Sequence, residues 1–180
     1  MKAGTVSAAL AVMAVAWVLA GCEDPSGPTS DVVLSAEVNG TAWHAGGPGA
    51  PPTHAVFYEG DNTLSVGGLR SDGSGHAEQI GFSIRNVTGP GTYALGDSAT
   101  GGTGLYVVSD GSIAYGTFTM TWYTTSAMRP GTVVLLAFEP SAHMLRGTFA
   151  FEAETGDGGR VTIRGGSFTG HYQTSHLAGS

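Results

Sequence analysis

From Val32 to Tyr172 the apolar residues fall largely on alternate positions, and the runs are cut by clusters of glycine, asparagine, serine and aspartate. A period of two is the mark of strands with one buried face, whereas a helix needs a repeat near 3.6. After the first twenty-two residues, no window of ten or more residues carries a helical repeat. The chain is therefore predicted to be all-β. Val32, Leu34, Ala36 and Val38 alternate with Val33, Ser35 and Glu37, and Asn39-Gly40 then precedes Thr41-Ala42-Trp43. Asn-Gly between two such runs predicts a tight hairpin, because both residues tolerate positive φ. Further strands are predicted at 54–59, 63–69, 78–87, 91–95, 104–109, 113–123, 132–139, 145–153 and 160–172. Nine or ten short strands fit a single antiparallel β-sandwich or barrel.

Two segments allow finer expectations. Leu145, Phe149, Phe151 and Ala153 share one face, with Thr148 and Glu152 on the other, and Val161 and Ile163 keep odd positions apolar. Past Gly165-Gly166 the apolar residues are Phe168 and Tyr172, which are even. One extra residue flips the alternation, so a β-bulge is expected at the glycine pair. The run T-V-V-L-L-A-F at 132–138 is apolar on both faces and predicts a central strand covered on both sides.

The first residues carry a different pattern. Met1-Lys2 gives a positive start, and 3–19 is almost wholly small or apolar. That is a secretory signal rather than a folded element. It ends in Leu19-Ala20-Gly21-Cys22, which resembles the lipobox of bacterial lipoproteins. The resemblance implies that Cys22, the single cysteine, is acylated and becomes the mature N-terminus. Three acyl chains at about 0.8 kcal/mol per buried methylene make a firm membrane anchor. The expected organisation is a signal at 1–21, the lipidated cysteine and a flexible polar tether at 22–30, a β-rich domain at 31–174 and a tail at 175–180. With its thiol acylated, the chain has no internal disulfide to draw on.

Beyond the signal there are six arginines, no lysine and fourteen acidic residues, a net charge near −8. A nucleic-acid binder needs a basic stripe, so that class is excluded. The expected partners are the membrane, through Cys22, and an envelope glycan, a small ligand or another envelope protein.

V-N-G-T-A-W, G-T-Y-A-L, Y-T-T, G-T-V-V-L-L-A-F, L-R-G-T-F-A-F-E-A and G-G-R-V-T-I-R-G-G-S-F-T-G occur in that order between Ser35 and Tyr172. Their order and spacing resemble a family of small bacterial lipoproteins of uncharacterised function with a β-rich domain behind a lipobox. The resemblance is sharpest over 145–170, and it implies a shared fold. It brings no catalytic residues.

Residues with chemical potential are scattered. His44, His54, His76, His143, His171 and His176 form none of the short metal-binding spacings, and no metal or cofactor is expected. Ser74 and Ser167 lack the surroundings of a nucleophile elbow. Asp61, Asp72, Asp110 and Asp157 sit in turn-like loops, each with too few carboxylates for calcium. The best functional lead is a strand face. On 113–123, Phe118, Met120 and Trp122 are expected in the core, leaving Tyr115, Thr117, Thr119, Thr121 and Tyr123 on the other side, either as a plain solvated face of good strand formers or as a ligand face of rings and hydroxyls. The chain is therefore expected to be a lipid-anchored, non-enzymatic binding or structural module of the bacterial envelope. Two alternatives are a hydrolase or lyase, requiring Glu139, Glu152 or His143 to converge, and a carrier barrel with an apolar cavity.

Overall fold

A computed structural model describes residues 31–96, 101–112 and 117–176, with the side chains of 112, 117 and 118 excepted. The signal, Cys22, the tether, Tyr115 and the Thr117 side chain thus lie outside the described residues. The elements are β1 (Val33–Val38), β2 (Thr41–His44), β3 (His54–Tyr58), β4 (Thr63–Ser71), β5 (Ala77–Ile84) and β6 (Gly91–Leu95). They continue with β7 (Gly102–Ser112), β8 (Thr117–Thr124), β9 (Gly131–Glu139), β10 (Met144–Glu154), β11 (Arg160–His171) and β12 (Gln173–Ser175). The fold is all-β, as the alternation requires, with twelve strands in one hydrogen-bonded sheet.

The strand order is β12-β3-β4-β5-β7-β8-β10-β11-β1-β2, with β6 attached through β9 to β10. Between β8 and β10 the pairing shrinks to Thr124 with Glu154. That seam divides the sheet into two layers, β12-β3-β4-β5-β7-β8 and β6-β9-β10-β11-β1-β2. The layers face each other: the Phe82 ring of the first lies 5.3 Å from Phe149 and 5.2 Å from Phe168 of the second. These rings fill the space in which a carrier barrel would hold its ligand. Phe57 of β3 likewise meets Phe138 of β9 at 5.1 Å. All pairs are antiparallel except β12 with β3, because β12 crosses to the first layer directly after Tyr172.

Local expectations are met where side-chain size and φ decide. Asn39 and Gly40 take φ of 49° and 81° and close the β1–β2 hairpin. The bulge lies where the phase changes: Phe149 pairs with Gly166 but Phe151 with Ile163, so Arg164 and Gly165 together oppose Ala150. Gly165 has φ of 56°, and burial passes from Val161 and Ile163 to Phe168 and Tyr172.

Two burial expectations are corrected. β9 is central in hydrogen bonding, between β6 and β10, but it is not covered on both sides. Val133 and Leu135 are buried, while Thr132 and Leu136 are exposed, because among the described residues no third layer lies over that face. The strand buried on both faces is β4, from Thr63 to Gly68. Its outer side is small, and the His54 ring lies over Gly67. On β8, Met120 is 39% exposed rather than in the core, and Trp122 is half-buried. Tyr123, from the opposite set, packs against the core.

Candidate functional site

The domain has two unlike ends. At one, β10 begins, β11 finishes and Asp31 leads into β1, and aromatic rings close the core there. The Tyr172 ring stacks on Phe138 at 5.2 Å and on His143 at 5.4 Å. At the other end β10 finishes at Glu154. Because Thr124 pairs antiparallel with Glu154, the earlier residues of β8 run on past the end of β10. There the core-facing side of β5, β7 and β8 loses its opposing layer and becomes an open ledge.

Register shows which residues share the ledge. Thr121 lies opposite Val108, which lies opposite Glu78, which lies opposite Arg70. One row outward Thr119 pairs with Asp110, and one row inward Tyr123 pairs with Tyr106 and Tyr106 with Ile80. The rows thus grade from the buried Ile80 through two tyrosines to exposed hydroxyls and charges. Tyr106 and Tyr123 sit 5.7 Å apart. Tyr123 also approaches the turn at Gly159.

The polar groups are joined. Arg70 bonds to the Glu78 carboxylate and donates to the Ala42 carbonyl at 3.1 Å. His76 Nδ1 is 2.6 Å from Asp110 Oδ1, and its Nε2 is 3.6 Å from Glu78. The bond to Asp110, with the charges of Asp110 and Glu78, raises the His76 pKa, so the ring favours its protonated form. Burial, and then the Glu78 carboxylate, push the Tyr106 phenol well above its usual range, so it stays neutral. Arg70, His76, Glu78 and Asp110 form a charge-balanced chain at the edge of the ledge.

Of the predicted ligand face, Thr119 and Thr121 are exposed on this ledge and Tyr123 forms part of its half-buried floor. Arg70, His76, Glu78 and Asp110 are functional candidates that sequence reasoning missed as a group. Arg70, His76 and Glu78 come from the β4–β5 hairpin and Asp110 from β7, which non-local pairing brings alongside.

A second feature lies on the outer face of the other layer. Beside the bulge, Thr132, Val134, Thr148, Ala150, Gly165 and Ser167 line a shallow hollow of about 330 Å³. It has hydroxyls but no ionisable group. Ser35 and Ser167 extend its polar rim through a 2.9 Å hydrogen bond.

The other candidates stay apart. Glu139 and His143 flank the turn before β10, whereas Glu152 and Glu154 stand at its far end, held by Arg129 at 3.3 and 3.5 Å. The convergence that a hydrolase was to build from Glu139, Glu152 and His143 does not occur. Asp61 and Asp72 accept hydrogen bonds from Thr63 and Ser74 two residues on, and Asp157 accepts from Thr155. Those are turn bonds. His171 and His176 pair with Asp31 and Glu59. Among the described residues no three His, Cys, Asp or Glu side chains are grouped to hold a metal ion.

The architecture and the ledge define a two-layer β-domain with one open polar end. The chain belongs to the family described as a domain of unknown function, DUF6252, whose model matches residues 31–170. No curated protein and no solved structure matches it.

Proposed function

We propose that this protein is a lipid-anchored, non-enzymatic module of the bacterial envelope that holds a polar partner on the ledge at the β7–β8 end. Cys22 supplies the anchor. The observation that carries the reading is the ledge itself: exposed Thr119 and Thr121 stand beside the His76–Asp110 pair on an otherwise core-facing surface that none of the described residues covers with a second layer. Hydroxyls, an imidazolium and carboxylates beside a half-buried ring suit a polyhydroxylated ligand such as an envelope glycan. The charged groups neutralise one another, which suits recognition better than proton transfer.

The test is ligand-induced stabilisation of the processed protein, read as thermal shifts against envelope glycans and small metabolites. A ligand at a hundredfold excess over Kd adds about 2.7 kcal/mol. The shift should disappear in Thr121→Ala/Asp110→Asn and persist in Thr148→Ala, which alters the hollow on the other layer. Loss in Thr148→Ala alone moves the site to the hollow and sinks the ledge reading. The anchor has its own test: Cys22→Ala should take up no labelled fatty acid, and uptake by that variant would overturn the lipobox reading.

A further inference from the structure

Five large apolar side chains are exposed among the described residues, and three of them, Val33 at 66%, Leu136 at 51% and Met144 at 39%, lie at the end of the second layer where the chain arrives from Cys22. Register places them together. Val33 pairs with Thr169 and Thr169 with Arg146, which pairs in turn with Ala137 beside Leu136. Met144 pairs with His171, whose backbone N–H donates to Asp31 at 2.7 Å. The polar groups interspersed with them are Arg146, Thr169 and His171, and the carboxylates are Asp31 and Glu139. Asp31 is paired with His171. Exposed aliphatic side chains beside a guanidinium are the composition of a surface resting at the headgroup–acyl boundary, with the base on lipid phosphate.

We propose that this end of the domain, centred on Val33, Leu136, Met144 and Arg146, rests on the bilayer surface and turns the ledge away from the membrane. The inference relies on acylation of Cys22. Tether length supports it. Nine steps of chain separate Cys22 from Asp31, at most about 30 Å when fully extended. The eleven residues of β10 alone extend about 36 Å from this end toward the other. The tether is therefore too short to let the domain stand on its ledge end, and it keeps Asp31 within about 30 Å of the acyl chains. The residues nearest that attachment are the exposed apolar ones.

The single native cysteine makes the test direct, because an acylated Cys22 leaves no thiol. Val33→Cys, Met144→Cys and Gly156→Cys are each labelled with an environment-sensitive fluorophore in the processed protein. Gly156 stands in the turn after β10, where a side chain meets nothing within 4 Å. The proteins are reconstituted into vesicles of phosphatidylethanolamine and phosphatidylglycerol with and without a spin-labelled quencher lipid. Probes at positions 33 and 144 should shift to the blue and be quenched, and the probe at 156 should do neither. Equal responses at all three sites, or a response at 156 alone, would overturn the docking orientation. Failure of the protein to float with the vesicles, with label appearing on Cys22 itself, would overturn the anchor and the orientation together. Val33 and Met144 come from different strands, so misfolding of one variant leaves the other as the reporter.

Discussion

Gly147 faces the core from β10, and a Cβ there would lie 2.4 Å from both the Phe168 ring and the Val134 carbonyl oxygen. Gly166 is as tight, with the Phe149 ring and carbonyl at 2.6 Å. At these positions glycine is required by space. Gly147→Ala should destabilise the domain by about 1–3 kcal/mol, read as a lower urea midpoint with an unchanged slope. A neutral result would show that Phe168 has room to move. His76 allows a prediction with a sign. Its pKa is raised in the fold, chiefly by Asp110, so the folded state holds the proton more tightly than the unfolded chain. The stabilisation is complete below the unfolded value near 6.5 and is lost as pH rises through the folded value. The stability difference between wild type and His76→Gln should shrink as pH rises above about 6.5 and through the raised folded value. A difference independent of pH would mean that the ring's charge has no part in it. Comparing the two proteins also removes the opposing contribution of His54, whose pKa burial lowers.

At the scale of strands, phase and turn chemistry were legible because they are local. The Asn39-Gly40 hairpin, the β10 alternation and the bulge at Gly165 follow from side-chain period and φ. Deleting Gly165 tests the bulge. Without the extra residue, Arg164 alone opposes Ala150 and the strand alternates without a break, so Phe168 and Tyr172 keep the face shared by Val161 and Ile163 and the variant should still unfold cooperatively by circular dichroism. Loss of the transition would mean that the bend made by the bulge is itself needed for the layers to pack. What covers a strand was not legible. T-V-V-L-L-A-F reads as doubly buried yet forms β9, open on its outer side, while T-L-S-V-G-G of β4 reads as less apolar and is buried on both. Layer order decides that, and it is set by pairings far apart in sequence. The same limit applies to the ledge. Thr119 and Thr121 could be picked from one strand's alternation, but Arg70, Glu78 and Asp110 meet only through the β4–β5–β7–β8 register. Met120 and Trp122 were assigned to the core for their apolar side chains, but register with Tyr106 and Ile80 turns Thr119, Thr121 and Tyr123 inward and leaves Met120 and Trp122 on the outer face.

For the whole molecule the question is whether two layers, bridged at Thr124 with Glu154 and at Gly46 with Arg70, behave as one unit. The rings of Phe82, Phe149 and Phe168 interlock across the interior, and Tyr172 reaches both layers. We expect a single transition. Trp43 reports on the second layer and Trp122 on the first, so Trp43→Phe and Trp122→Phe variants isolate the two signals. Their denaturant midpoints, each corrected against circular dichroism of the same variant, should coincide with it, and a separation would show independent layers. Phe82→Ala should lower both signals together by about 3–5 kcal/mol.

β1 is the first strand to be synthesised, yet its place lies between β2 and β11, with Val33 opposite Thr169. Sequence-distant pairing of this kind makes folding slow, in the range of milliseconds to seconds for such topologies. It also sets an order of events. A ribosome must release nearly the whole domain before its opening strand has a berth, so a partly made chain holds β1 unseated. Until then the edge of β1 away from β2 stays open, and the last long strand to emerge completes the sheet around the first.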